Sequence, residues 1–242
     1  MRIATYNIGD YSGATFDRGS DDAKKHLKDL MESAGVDLWA MQEDEKFFNE
    51  VTQETPEEAL YQSYKYRARY GTGKYNFKSI LSNYELTNVQ QIYYNGEIRF
   101  GHKWFLSAIL SFEGKEMCVI SLHFDWTDNR IRATQIKQVL EYANKYKYCI
   151  IMGDFNPSDY MEKQKLSDNC LLSKEIEPFL EAGYSSVNVG KFGYYGTLPL
   201  RAEPFACDNI IVSGNIKILN AGTVLKDWMN DHAVLWADIE IA

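Results

Sequence analysis

The chain has little of what marks several protein classes. Its 242 residues hold four cysteines, Cys118, Cys149, Cys170 and Cys207, far apart and in no zinc-binding spacing. Cys118 and Cys149 lie in apolar runs and read as small buried hydrophobes, as a reducing compartment allows. Basic residues are in the minority, 26 Lys and Arg against 34 Asp and Glu, for a formal charge of −8. That balance argues against a broad nucleic-acid-binding surface, though not against a local basic or metal-neutralised site. No apolar run is long enough to span a bilayer. The chain opens on MRIATYNIG, without the charged, apolar and small regions of a signal peptide. These absences point to a cytoplasmic location and to no membrane span. No linker and no low-complexity tract interrupts the chain, so residues 1–242 read as a single domain.

What is present is apolar and strongly patterned. Hydrophobic residues make up 45% of the chain, enough for a large ordered core. Strand-like runs are predicted at Arg2–Ile8, Val36–Gln42, Tyr64–Tyr70, Ser79–Ser82, Val89–Tyr94, Trp104–Phe112, Met117–Phe124 and Tyr148–Met152. Three more follow at Asn209–Val212, Ile216–Val224 and Ala233–Ile241. Helices are predicted from Ser20 to Ala34, with Leu27, Leu30, Met31 and Ala34 on one face and Gly35 as the stop. Others run from Thr127-Asp128 to about Lys145 and from Ser173 to Ala182, with a short helix start at Thr55-Pro56-Glu57-Glu58. Helices interleave with strands in both halves, and neighbouring strands are hairpin-linked. That order favours an α/β fold of two packed mixed sheets flanked by helices.

Polar clusters close the apolar runs. Asn7 follows IATY; Gln42 and Glu43 follow DLWAM; His123 and Asp125 follow MCVISL; Asp154 and Asn156 follow CIIMG. Asp208 and Asn209 precede IIVS, and Asp231 and His232 precede AVLWADIEI. A sheet edge is where α/β folds gather their chemistry. Oxygen ligands in this number favour Mg²⁺, with Mn²⁺ or Ca²⁺ as alternatives, over zinc. Each residue alone has an ordinary explanation: Asn7 as a turn former, Glu43 as a surface acid, His123 as a satisfied core histidine, Asp231 as a turn cap. The joint pattern is what carries meaning.

In that order the motifs YNIG, MQE, SLHFD, GDFN, CDNIIVS and NDHAVL resemble the endonuclease/exonuclease/phosphatase superfamily, the deoxyribonuclease I-like proteins. The resemblance spans nearly the whole chain. It implies a four-layer α/β/β/α sandwich and metal-assisted hydrolysis of phosphate esters. By the same resemblance, Glu43 is the main metal ligand, helped by Asn7 and Asp231. Asp154 is the general base toward water, and Asn156 holds the nucleophile or a phosphoryl oxygen. His232 binds a phosphate oxygen and is oriented by Asp208, and His123 contacts a second phosphate oxygen.

Lys78 stands where an asparagine is frequent in such proteins and is a weaker candidate for phosphate contact, alongside a solvated strand-end role. Arg99 or Lys103 matches an arginine common before the LH motif. Trp126, Trp228 and Tyr194, the last in the loop Lys191–Gly196, are weaker candidates for stacking on bases. The leading expectation is a phosphodiesterase or nuclease acting on nucleic acid or nucleotide. The alternatives are a phosphatase or phosphodiesterase of a small phosphorylated metabolite or lipid headgroup and, from another class, a catalytically silent binding module. No protein partner is implied.

Overall fold

The computed structural model describes residues 1–9, 21–44, 63–71, 77–96, 102–157, 175–188, 197, 206–224 and 232–242. Two six-stranded mixed sheets pack face to face. The first has the order β11 (Ile216–Val224), β12 (Val234–Ile241), β1 (Arg2–Asn7), β2 (Leu38–Gln42), β4 (Lys78–Ser82) and β3 (Tyr66–Tyr70). The second runs β5 (Leu86–Tyr93), β6 (Trp104–Phe112), β7 (Lys115–His123), β8 (Cys149–Asp154), β10 (Asp208–Val212) and β9 (Ser185–Ser186).

Three apolar layers explain the arrangement. Between the sheets lie inward residues of both, including Ile3, Leu38 and Ile80 against Leu106, Val119, Ile150 and Ile210. On the outer face of the first sheet, α1 (Asp21–Ala34) lays Leu27, Leu30, Met31 and Ala34 onto Ala4, Trp39, Met41 and Leu81. On the outer face of the second, α2 (Asn129–Ala143) and α3 (Glu177–Glu181) cover Cys118, Ile120, Cys149 and Ile151 with Ile136, Val139 and Phe179. The result is the four-layer sandwich expected from the sequence. Cys118, Cys149 and Cys207 are buried and reduced. Among the described residues, no helix is long and apolar enough to cross a membrane.

Several boundaries differ from the sequence expectation for local reasons. The second helix starts at Asn129, because the Asp128 side chain accepts the Arg130 N–H and makes Asp128 the cap. The third is five residues long: Pro178 sits at its first turn, where a missing N–H costs nothing, and Gly183 ends it at φ 86°. β5 begins three residues early, across an irregularity between Thr87 and Gln90 with Asn88 at φ 47°. That bulge interrupts the alternation by which strands are read. The two-residue β9 is polar and gave no signal. The short helix expected at 55–58 lies outside the described residues.

Strand direction positions the site. β1 and β2 are parallel, as are β7 and β8, while β4, β10 and β12 run antiparallel to their neighbours. The C-terminal ends of β1, β2, β7 and β8 therefore share one edge with the N-terminal ends of β4, β10 and β12. Register completes the alignment. Asn7 pairs with Gln42 and Gln42 with Lys78 in the first sheet; His123 pairs with Asp154 and Asp154 with Asp208 in the second.

Gly153 is fixed by this register. It lies opposite Leu122 at φ 150°, and a Cβ there would come within 2.0 Å of the Leu122 carbonyl oxygen. Gly153→Ala is expected to cost about 2 kcal/mol or more, from strain and overpacking against backbone that cannot move aside. Urea unfolding measures it; a loss below about 0.5 kcal/mol, the scale of an ordinary surface substitution, would show that β7 and β8 yield at this point.

Candidate active site

At the shared edge the space between the sheets turns from apolar to polar. The Thr5 hydroxyl donates to Gln42 Oε1 (3.3 Å), and Gln42 Nε2 crosses to Ser121 Oγ on the other sheet (3.2 Å). One step nearer the edge, Asn7 does the same between carboxylates. Its Nδ2 donates to Glu43 Oε1 (3.2 Å) and to Asp154 Oδ2 (3.1 Å), while its Oδ1 accepts the Gly9 N–H (3.0 Å).

Asp154 is the hub. Its Oδ1 accepts the Asn156 N–H (2.9 Å) and the Cys207 thiol (3.1 Å), which hold that oxygen toward β10. Its Oδ2 faces Asn7, His123 Nε2 (3.4 Å) and His232 Nε2 (3.8 Å). Burial, then the Asp208 charge, pushes its carboxyl up to about 6. At neutral pH it remains ionised and basic. Burial and the Asp154 charge push the Cys207 thiol well up, so it stays a neutral donor.

His123 lies between two acids, with Nδ1 3.6 Å from Glu43 Oε1 and Nε2 3.4 Å from Asp154 Oδ2. Burial, then charge at His102, Lys78 and His232, lowers its basicity far below that of free imidazole. A neutral ring carries one N–H, so only one of its two nitrogens presents a donor to these acids. His232 Nδ1 lies 2.8 Å from Asp208 Oδ2, the pairing expected from the sequence. Thr197 brings the two segments together. Its Oγ1 accepts the N–H groups of Cys207 and Asp208, and its carbonyl accepts that of Ala233, next to His232.

The loop after β8 is built by its sequence. Phe155 turns inward between Phe124 and Phe179 in edge-to-face contacts. That leaves Asp154 and Asn156 to flank it at the edge. Asn156 sits at φ 42°, a conformation Asn tolerates better than most residues, and its Nδ2 donates to the Phe124 carbonyl (3.0 Å). Asn156 thus ties β8 to the loop after β7, with one amide N–H left to offer.

Asn7, Glu43, His123, Asp154, Asn156, Asp208 and His232 are therefore brought together. Lys78 is not in the open part of the site: it is fully buried below, with Nζ 4.1 Å over the Trp104 ring. That burial excludes the solvated strand-end role, because β4 carries Lys78 into the space between the sheets. Trp126 is 64% exposed on the turn after His123. Asp125 holds that turn: its Oδ1 accepts from the Thr127 N–H, the Thr127 hydroxyl and the Asp128 N–H. Lys103 is exposed; among the described residues of its segment, His102 touches the site, its ring centroid 4.1 Å from that of His123. Asp231, Tyr194, Trp228 and Arg99 lie outside the described residues.

Sequence reasoning missed Cys207 and His102. Cys207 hides as an apolar letter before a strand, and only its place next to Asp208 hinted at the site. His102 had no ligand-spaced partner, and nothing local showed that β6 would stack it on His123.

Among the described residues, two places suit a hard divalent cation. At the first, Glu43 offers its carboxylate beside the Asn7 amide, whose Nδ2 faces it here, and Gly9 leaves room: a Cβ there would lie 1.9 Å from Glu43 Oε2 and 2.9 Å from Glu43 Cβ. At the second, Asp154, Asp208 and His232 offer one ligand atom each, all within 4.8 Å of one another. In the contacts above, three carboxylates, from Glu43, Asp154 and Asp208, meet amides, a thiol and imidazoles, a donor set that a divalent cation would neutralise.

A model of the endonuclease/exonuclease/phosphatase family matches residues 4–225. No curated protein matches the sequence. Several solved structures share the fold. An endonuclease/exonuclease/phosphatase from Beutenbergia cavernae superposes with a TM-score of 0.76 at 13% identity, over 100% of this chain and 71% of that one. D. rerio TDP2, complexed with a single-strand DNA product, gives 0.73 at 14% identity, covering 99% of this chain and 98% of its own. A mannosyl-6-phosphatase from Bacteroides thetaiotaomicron gives 0.69 at 14% identity, over all of both chains.

Proposed function

Because this chain belongs to the endonuclease/exonuclease/phosphatase family, we propose that it hydrolyses phosphate esters at the edge shared by its two sheets, with a divalent cation, Mg²⁺ first among the choices. The observation that carries this reading is the placement of Asp154: a buried carboxylate with one oxygen held back and the other facing two imidazoles and Asn7. A phosphate ester resists attack because its own charge repels nucleophiles. Glu43 and Asn7, with Asp231, would hold the cation, which would neutralise that charge and that of the developing oxyanion.

The chain's residues do the rest. Asp154 Oδ2 orients a water and takes its proton, a role worth 10²- to 10⁴-fold in enzymes generally. Asn156 keeps Asp154 Oδ1 in place through its backbone N–H and turns its free amide N–H toward the nucleophile. His232 binds a phosphoryl oxygen through Nε2, with Asp208 on Nδ1 fixing the tautomer. His123 offers a neutral N–H to a second phosphoryl oxygen.

The first substrate class is nucleic acid or nucleotide. Trp126 supports it as an exposed ring on a turn pinned by Asp125, suited to stacking on a base. The second is a small phosphorylated metabolite, favoured by the net charge of −8, which repels a polyanion but admits a compact one neutralised by the cation.

A panel separates them: plasmid DNA, single-stranded DNA, RNA, abasic duplex, bis-p-nitrophenyl phosphate, p-nitrophenyl phosphate and a hexose 6-phosphate, each with Mg²⁺, Mn²⁺ or EDTA. Cleavage of polynucleotide or diester supports the first class. Release of phosphate from monoesters alone supports the second. No turnover of any ester with either cation would leave the binding module and overturn the enzymatic reading.

A further inference from the structure

Glu43 sits in an unusual conformation for the residue proposed to hold the cation. Its φ is 56°, a left-handed backbone that costs a non-glycine residue roughly 1 kcal/mol or more and persists only where surroundings impose it. The turn is what points the Glu43 carboxylate toward Asn7 and His123. Among the described residues, two attachments hold it. Behind, the Glu43 N–H donates to the Phe77 carbonyl (2.9 Å). Ahead, Asp44 drops its carboxylate into the interior, wholly buried, where it accepts from the Ser79 hydroxyl.

One side chain reaches both attachments. Arg69, on the edge strand β3, is opposite Ser79 in register. Its Nε lies 3.4 Å from Asp44 Oδ2, in an ion pair with the Arg69 side chain 17% exposed and that of Asp44 0%. Its guanidinium also lies 4.0 Å from the centroid of the Phe77 ring. Gly71, at φ 153°, also lies against Phe77: a Cβ there would come within 2.5 Å of Phe77 Cγ. Phe77 is thus in close contact with both Gly71 and Arg69, which locates its carbonyl for Glu43. A buried carboxylate–guanidinium pair is a poor source of stability, since desolvation offsets its attraction. A pair that fixes a strained turn on both sides has another use.

We propose that Arg69 is a positioning residue for Glu43. Through Asp44 and Phe77 it sets the Glu43 carboxylate for a divalent cation, so that affinity for the ion depends on an edge strand that does not touch it. This inference rests on the proposal that Glu43 holds the cation. Groups that orient metal ligands indirectly are worth about 10- to 100-fold in affinity.

The test is Mn²⁺ binding, followed by the electron paramagnetic resonance of free Mn²⁺ at a temperature well below each protein's melt. Wild type, Glu43→Gln, Arg69→Gln, Arg69→Lys, Ser79→Ala and Val139→Ala are compared. Val139→Ala creates a cavity under α2, far from this turn, and reports what destabilisation alone does. Glu43→Gln should abolish tight binding. Arg69→Gln should weaken it about 10- to 100-fold, and Arg69→Lys, which keeps the charge, should recover part of that loss. Val139→Ala should lower the melt and leave affinity unchanged. If Glu43→Gln abolishes binding while both Arg69 variants bind within twofold of wild type, Arg69 has no positioning role and the Glu43 assignment stands. If Glu43→Gln binds as wild type does, the Glu43 assignment fails and Arg69 falls with it. Should Arg69→Gln not fold, Arg69→Lys and Ser79→Ala decide: unchanged affinity in both overturns the inference.

Discussion

Asp154→Asn is expected to reduce turnover roughly 10²-fold or more while the protein remains folded. The amide keeps the shape of the carboxylate, and it still accepts from the Asn156 N–H and the Cys207 thiol on one oxygen. What it loses is basicity toward water, together with the acceptor for Asn7 Nδ2. The effect on stability has the opposite sign. Burial and Asp208 raise the folded-state carboxyl from 3.8 to about 6. A carboxyl that binds its proton more tightly when folded costs stability once it ionises, fully so above pH 6. Replacing it by a neutral group removes that cost. In the metal-free protein at pH 7 the variant should melt at the same temperature as wild type or higher. Lost turnover with an unchanged or raised melt marks a functional carboxylate held at a cost to the fold. Unchanged turnover would make Asp154 a structural turn residue.

The second large effect concerns His232 and Asp208, 2.8 Å apart through Nδ1 and Oδ2. His232→Ala removes a donor aimed at the phosphoryl group, a loss expected at about 10²- to 10³-fold in turnover. Asp208→Ala should cost a similar factor, because the imidazole then loses its fixed tautomer and orientation. The double variant should be little worse than the weaker single one, since residues acting as a unit are strongly non-additive. Steady-state kinetics of the four proteins measures the cycle. Losses that multiply would show two independent roles, with His232 acting without help from Asp208.

Most of this site was legible because each of its residues ends or precedes an apolar run. A strand long enough to be buried is easy to see, and the polar residue that closes it marks the edge. Asn7, Glu43, His123, Asp154, Asp208 and His232 are all of that kind. The helix faces were legible for a related reason: Leu27, Leu30, Met31 and Ala34 repeat at helical spacing and reach one layer. What could not be read is what depends on register between distant strands. Nothing near Lys78 in sequence shows that Trp104 waits beneath it. Nothing near Cys207 shows that its thiol meets Asp154, 53 residues away. Arg69 and Asp44 look like surface charges in YRARY and QEDEK, and only the pairing of β3 with β4 brings them together. Pro178 was visible, yet the helix was read through it from Ser173, whereas Glu175 and Ile176 form a turn and the helix begins at Glu177.

The central claim is that Glu43 anchors a divalent cation at the edge shared by the two sheets. Crystals soaked in Mn²⁺ and measured near the manganese absorption edge give an anomalous map that tests it directly. The expected result is a peak at coordination distance, about 2.0–2.6 Å, from the Glu43 carboxylate, with oxygen atoms as its nearest protein ligands. A strongest peak farther than one coordination bond from Glu43, or one bound by a cysteine sulfur, would contradict it.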